Sequence, residues 1–288
     1  MEKKTQINKL SASSIKMFLS CPLKWSFNEM DGIIVEPSMP QHLIYGGAVH
    51  KAVEEFHRGL FSGNRIGPKQ MIDIFVDSWN WEIEFLENPI EWYKNTQEEE
   101  MRKAGIASIQ EYFKIHANDP PPPSFINEKG EVVAAVEARF LLPLDDLCTN
   151  KGWVLSGVID LIEKKEELNI IDHKTSASKY TDFQIKTNMQ LPIYSWAFRT
   201  LVNMNRFPEF APGTKEDHVV FDVLLKKRPA IVPQKRKVGD STFRHIGIII
   251  DKVINQIQRK EFLPNYGSEC SAFGGCEYAS ICADFKFE

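Results

Sequence analysis

Two carboxylates stand where apolar side chains would be expected. Asp160 lies inside Gly157-Val158-Ile159-Asp160-Leu161-Ile162 and Asp172 inside Asn169-Ile170-Ile171-Asp172. A charge in an otherwise apolar strand is costly unless something pairs with it. Lys174 follows Asp172 at the alternate position, so in an extended strand both project to one face. The charged stretch Lys164-Lys165-Glu166-Glu167 between the two runs reads as the turn of a β-hairpin. A turn centred near residues 165 and 166 sets Asp160 across from Ile171 or Asp172. Two acids and one ammonium then converge where the strands meet. Such a cluster is either a structural Asp–Lys ion pair or a seat for a hard divalent cation, which takes a few carboxylates and keeps positions open for substrate oxygens.

Three further groups are of types that bind or catalyse. Gly46-Gly47-Ala48-Val49-His50 opens a segment in which Val49, Val53 and Phe56 have the spacing of a helix stripe. Gln190 and Tyr194 are four apart, with Lys186 four before them, so one helix would carry all three on one face. An amide, a phenol and an ammonium suit contact with phosphate and bases; an amphipathic helix boundary is the plainer reading. Cys270, Cys276 and Cys282 fall within thirteen residues and can wrap one metal centre that still wants a fourth ligand. All-thiolate ligation suits zinc or a four-iron cluster. Cys148, in Asp145-Asp146-Leu147-Cys148-Thr149-Asn150, reads as an uninvolved thiol in a strand connection and the one substitute ligand for such a centre; Glu137 either lies near the Asp160 site or faces solvent, and stays outside the core set.

The elements that must position these residues follow from the pattern. Ser11-Ala12-Ser13-Ser14 predicts a capped helix start, and Cys21-Pro22 its end. From about Pro68 to Asn118 the chain reads as helices, acidic over Trp81–Glu100 with seven Glu and one Lys, and Pro120–Pro123 ends them. Then come β-rich runs at Glu131–Leu144, Trp153–Ile162 and Leu168–Asp172, a helix over about Asp182–Val202, and a fourth strand at Val219–Leu225. This order predicts a mixed α/β sheet with helices packed on it. Lys226–Lys260 holds ten Lys or Arg against two Asp, a local +8 that is either a backbone-binding surface or a solvated one. The whole chain, 288 residues with net charge −4, carries no excess of positive charge. Its 43% hydrophobic and 26% charged residues exclude a disordered chain, a collagen or a rod. The most apolar short run, Ile246–Ile250, is far below a membrane span, and the charged Met1–Gln6 start lacks the apolar stretch of a secretory signal. Five cysteines in a cytoplasmic setting would stay reduced.

In their order these motifs resemble the PD-(D/E)XK nuclease superfamily, and within it the RecB-like branch that includes CRISPR-adaptation, recombination and phage or repair exonucleases. Asp160 followed by Asp172-x-Lys174 matches its signature, Gly47-x-x-His50 its upstream helical element, and Gln190-x-x-x-Tyr194 its element after the third strand. Leu10-Ser11-Ala12-Ser13-Ser14 with Cys21-Pro22 resembles the start of its iron–sulfur members. The resemblance implies a restriction-endonuclease-like α/β fold: a mixed central sheet flanked by helices, a helical insertion, and an N/C-terminal region stapled by an iron–sulfur cluster. It divides the chain into N-terminal helices with Cys21 and His50 (residues 1–62), the insertion (63–125), the sheet core (126–230), and a basic helix with a cysteine-rich cap (231–288). His50, Asp160, Asp172 and the backbone carbonyl of His173 become metal ligands for magnesium or manganese, and Lys174 the catalytic lysine. The His173 side chain, by alternation, points away from that metal face. Gln190, Tyr194 and Lys186 become DNA contacts. Cys21 becomes the fourth ligand of a 4Fe–4S cluster with Cys270, Cys276 and Cys282, zinc being the alternative; five residues separate Cys270 from Cys276, where the family pattern has two. The implied function is a metal-dependent deoxyribonuclease, an exonuclease on single-stranded DNA ends. The alternative is a DNA-binding or assembly subunit that keeps the fold as a scaffold. The implied setting is cytoplasmic, in a cellular, phage or mobile-element context, with protein partners from recombination, repair or CRISPR adaptation.

Overall fold

The computed structural model describes residues 8–33, 35, 39–85, 90–91, 97–267, 270–271 and 275–284. The chain divides into two compact units: unit one is Met1–Pro37, Phe140–Gly157 and Gly239–Glu288, and unit two is Ser38–Arg139 and Val158–Val238. No described helix is long and apolar enough to cross a membrane.

The chain opens with β1 (Lys9–Ser11), α1 (Ala12–Ser20), α2 (Pro22–Trp25) and a π-helical turn, Ser26–Met30. Ser11 caps α1 as expected, its hydroxyl accepting from the Ser14 amide at 3.1 Å. Pro22 cannot continue α1 and instead starts α2. Next come β2 (Met39–Pro40), α3 (Gln41–Ser62), α4 (Pro68–Glu84), β3 (Ile90–Glu91) and α5 (Glu98–His116). The three long helices bury Tyr45, Phe56, Phe75, Trp79 and Tyr112 in one apolar cluster. Gly105 lets α4 and α5 approach, since a Cβ there would lie 2.1 Å from the Phe75 ring.

The sheet is built from β6 (Val136–Pro143), β7 (Val154–Lys164) and β8 (Leu168–Ser176), following a small pair, β4 (Ser124–Ile126) with β5 (Val132–Ala134). After α6 (Asp182–Thr187) and α7 (Gln190–Asn203), β9 (His218–Leu225) and β10 (Ile231–Arg236) complete it. In unit two β7 and β8 are an antiparallel hairpin, β8 and β9 are parallel, and β9 and β10 are antiparallel. β6 also pairs with β7. In unit one β1 runs parallel to the start of β7, Lys9 facing Val154. α8 (Asp240–Arg259) and α9 (Ala279–Asp284) follow, both in unit one. This is the mixed sheet flanked by helices of a restriction-endonuclease-like fold.

Three details depart from the pattern reading. The run Glu131–Leu144 is two strands, broken at Ala135, whose amide donates to the Pro123 carbonyl at 2.8 Å. The helix expected over Asp182–Val202 is also two. Asn188 is extended (φ −63°, ψ 131°), its side chain accepts from the Leu191 amide at 3.0 Å, and Arg236 donates to the Ile185 and Asn188 carbonyls. Strand β10 falls inside the basic segment, where Pro233 and the charged Lys235 and Arg236 hide a strand at the end of the sheet order.

Candidate active site

The residues singled out for the divalent cation, His50, Asp160, Asp172 and His173, and the lysine Lys174 lie in unit two. α3 packs against β8 and carries His50 to Asp160: His50 Nδ1 is 3.6 Å from Asp160 Oδ2. The hairpin ladder runs from Lys164–Leu168 to Leu161–Ile171, and Asp160 is the next residue on its strand. The register is the expected one. The His173 amide donates to Asp160 Oδ2 at 2.8 Å and so fixes that carboxylate against β8. Lys174 Nζ lies 2.7 Å from Asp172 Oδ2, confirming that the two share a face. The His173 imidazole instead reaches Tyr112 Oη, 3.0 Å from its Nε2.

The sequence reading left Glu137 aside, and the structure brings it in. Ligand atoms of His50, Glu137 and Asp160 all lie within 4.8 Å of one another. Glu137 is one of three non-glycine residues among those described with positive φ (50°), a conformation that persists only where the surroundings impose it. A signal was available: Glu137 is a carboxylate in an apolar strand, the same feature that marked Asp160.

The electrostatics fit a missing positive charge. Burial, then the charges of Asp172 and Glu137, hold the Asp160 carboxyl well above the usual range. Burial also raises Asp172, against the pull of Lys174, and burial followed by Glu54 raises Glu137. His50 is pushed down to about 4 by burial and then Lys174, so it is a neutral ligand at neutral pH. Burial alone would lower Lys174, but Asp172 and Asp160 hold it above its ordinary value. Asp172 is fully buried and, beyond the Lys174 ion pair, its oxygens have no hydrogen-bond partner. The group that could hold a divalent cation is His50, Glu137 and Asp160; Asp172, expected as a ligand, is not in it and pairs with Lys174. Of these residues, His50, Glu137 and Lys174 line a cleft of about 1090 Å³.

Gln190 and Tyr194 share a face of α7, and the Gln190 amide donates to Tyr194 Oη at 2.8 Å. Burial raises the Tyr194 phenol, followed by the charge of Asp172, so the phenol is within electrostatic reach of the acids. Lys186 is not on that helix. It sits on α6 and lines a separate cavity with Lys179, Lys235, Arg236 and Lys237. The break at Asn188 removes the one-face relation that a single helix would have given.

In unit one, Cys21, Cys270, Cys276 and Cys282 line one cavity of about 200 Å³ with Leu23 and Phe27. Asn265 joins two of them, its amide 3.4 Å from Cys21 Sγ and its carbonyl 3.6 Å from Cys270 Sγ. Burial raises the Cys282 thiol, and Cys21, Cys276 and Cys270 add to it. Cys148 does not line that cavity; it is buried, faces the Asn150 carbonyl, and is pushed up to about 11 by burial. Cysteine thiols suit zinc or an iron–sulfur cluster, and these four share a cavity without three of their sulfurs lying within 4.8 Å of one another.

Residues 9–283 match the profile of the PD-(D/E)XK nuclease superfamily, and the chain belongs to that superfamily. At that level it is a nuclease. Among solved structures it is similar to a protein of Eubacterium rectale described as a proposed exonuclease, at 14% identity and TM-score 0.49, covering 98% of this chain and 89% of that one. It is also similar to a protein named SSO0001, at 14% identity and TM-score 0.35, covering 91% and 94%. No curated protein matches.

Proposed function

We propose that the chain is a magnesium- or manganese-dependent deoxyribonuclease, an exonuclease that hydrolyses phosphodiester bonds at single-stranded DNA ends. The observation that carries this reading is the convergence of His50, Glu137 and Asp160, two of which, His50 and Glu137, line one cleft with Lys174. His50, Asp160, Asp172 and the His173 carbonyl, now with Glu137, would hold the cation. When bound, it would neutralise phosphate charge and acidify a water molecule. Lys174 keeps its proton and sets a fixed positive charge where negative charge develops on the phosphate. The His173 amide keeps Asp160 in one rotamer. Gln190 and Tyr194 offer polar contacts to the strand, and Lys186 with its neighbours on α6 and β10 offers backbone contacts that weaken with salt.

The cysteine cavity belongs to the same proposal. Cys21, Cys270, Cys276 and Cys282 hold a 4Fe–4S cluster whose role is structural, with zinc as the alternative. Aerobically or anaerobically purified protein should be brown and contain iron; colourless protein with one zinc would replace the cluster by zinc.

The test uses labelled single- and double-stranded DNA with manganese or magnesium, and EDTA as control. Lys174→Ala should lose about 10²–10³-fold in cleavage rate while still binding DNA. Cleavage by that variant at the wild-type rate removes Lys174 from the mechanism. Wild-type protein that binds DNA without cutting it in either metal would favour the scaffold reading.

A further inference from the structure

Among the five tryptophans described, Trp25, Trp79, Trp153 and Trp196 are buried, whereas Trp81 is 59% exposed. The core does not use it. α4 turns Met71, Phe75 and Trp79, four residues apart, into the apolar cluster, and Trp81 falls on another face of the helix. Phe85, one turn further, is 62% exposed, and its ring lies 5.2 Å from that of Trp81 at an interplanar angle of 36°. Two large rings side by side in water hold apolar surface that a ligand could cover favourably.

The surroundings of the pair define the ligand. Trp81 lines the same cleft as His50, Glu137 and Lys174, together with Ile74, Asp77, Ser78 and Glu82 of α4. Asp77 and Glu82 have no ion-pair partner among the described residues, unlike Glu54 and Glu55 of α3, which pair with Lys51 and Arg58. Two uncompensated carboxylates repel phosphate, so the α4 wall disfavours the backbone of a nucleic-acid strand. A base carries no net charge, and its face stacks on an aromatic ring whatever the sequence. In a duplex the base faces are covered by their neighbours in the stack; in a single strand they are free to be splayed onto protein.

We propose, building on the nuclease reading, that Trp81 and Phe85 are a stacking platform for unpaired bases of the strand being cut, and that α4 thereby selects single-stranded over duplex DNA. The strand would lie with its bases toward α4 and its backbone toward Lys174. The platform belongs to the helical insertion and to none of the motifs that carry the chemistry.

The probe is oligothymidylate of about twelve nucleotides, compared with an abasic strand of the same length, which keeps the phosphates and lacks the bases. Full-length Lys174→Ala protein with magnesium keeps the strand whole during titration. Oligothymidylate should quench its tryptophan fluorescence and bind at least about fivefold more tightly than the abasic strand. Adding Trp81→Phe should remove most of the quenching with affinity largely kept, since phenylalanine still stacks. Adding Trp81→Ala with Phe85→Ala should abolish the preference over the abasic strand. In the otherwise wild-type chain, the same double substitution should lower the ratio of single-strand to duplex cleavage with manganese. Quenching that survives Trp81→Phe, a preference for bases that survives the double substitution, or an unchanged cleavage ratio would each overturn the platform. Oligothymidylate that does not bind Lys174→Ala at all would count against the nuclease reading and the platform together; binding that leaves the fluorescence unmoved would count against the platform alone.

Discussion

Glu137 holds an unusual place among the acids of the cleft. Its backbone is in the left-handed region inside a strand, and its carboxyl sits with His50 and Asp160. Strain of this kind persists where the surrounding structure over-determines a position. Without a cation Glu137 raises Asp160 by like-charge repulsion; with one it would supply a further oxygen. Glu137→Gln should therefore weaken manganese affinity by about tenfold, on the scale seen when metal-site carboxylates or their partners are lost. Manganese titrations of cleavage rate would show the shift as a higher half-saturating concentration. An unchanged manganese dependence would leave Glu137 outside the ligand set. Asp160, Asp172 and Lys174 were legible one residue at a time, because an acid in an apolar strand and an i, i+2 pair are local signals. Glu137 carried the same local signal without the motif that made Asp160 stand out.

Among the elements, α3 is the one that joins the cleft to the back of the sheet. It carries His50 to the cleft and, two turns later, His57 to Tyr112 of α5, whose hydroxyl is 2.7 Å from His57 Nε2 and 3.0 Å from His173 Nε2. Three elements are thereby locked at one phenol. Burial, and then His116, push His57 down to about 3. Unfolding restores an ordinary imidazole near 6.5, so the unfolded chain takes up a proton that the native chain refuses. The stability from this residue is complete above about pH 6.5 and is lost as pH falls toward 3. Urea midpoints measured from pH 7 down to 4.5 should decline, and His57→Gln should flatten part of that decline. An equal slope in the variant would show that other groups set it. The periodicity of the sequence was enough to place α3 and the β7–β8 hairpin. It did not show the break at Asn188, which depends on a side-chain cap and on carbonyls held by Arg236 from β10, 48 residues away.

Over the whole molecule, the four cysteines bring Cys21 to a cavity shared with Cys270, Cys276 and Cys282. A cluster there would close a loop of 270 − 21 = 249 residues and stabilise the chain largely through the unfolded state. Cys276→Ala should lower the melting temperature by about 5 °C or more, with iron content reduced, before cleavage at low temperature is affected. Wild-type melting with no metal bound would end the structural role. The local +8 segment is divided between the units: Lys226–Lys237 belong to unit two and Arg244–Lys260 to unit one. Several of its charges are already engaged. Lys226 lies over the Tyr45 ring, Lys235 pairs with Glu167, and Arg236 holds α6 and α7.

By itself the sequence determined the class of fold, the hairpin register, and which acids, lysine and thiols are the candidates, because alternation, turn composition and motif spacing act over a few residues. Only the tertiary structure decided that Glu137 joins His50 and Asp160, that Lys186 lies apart from Gln190 and Tyr194, and that Trp81 lines the cleft of His50 and Lys174. Those relations depend on distances between side chains from separate elements, which packing and long-range hydrogen bonds fix and which no periodicity records.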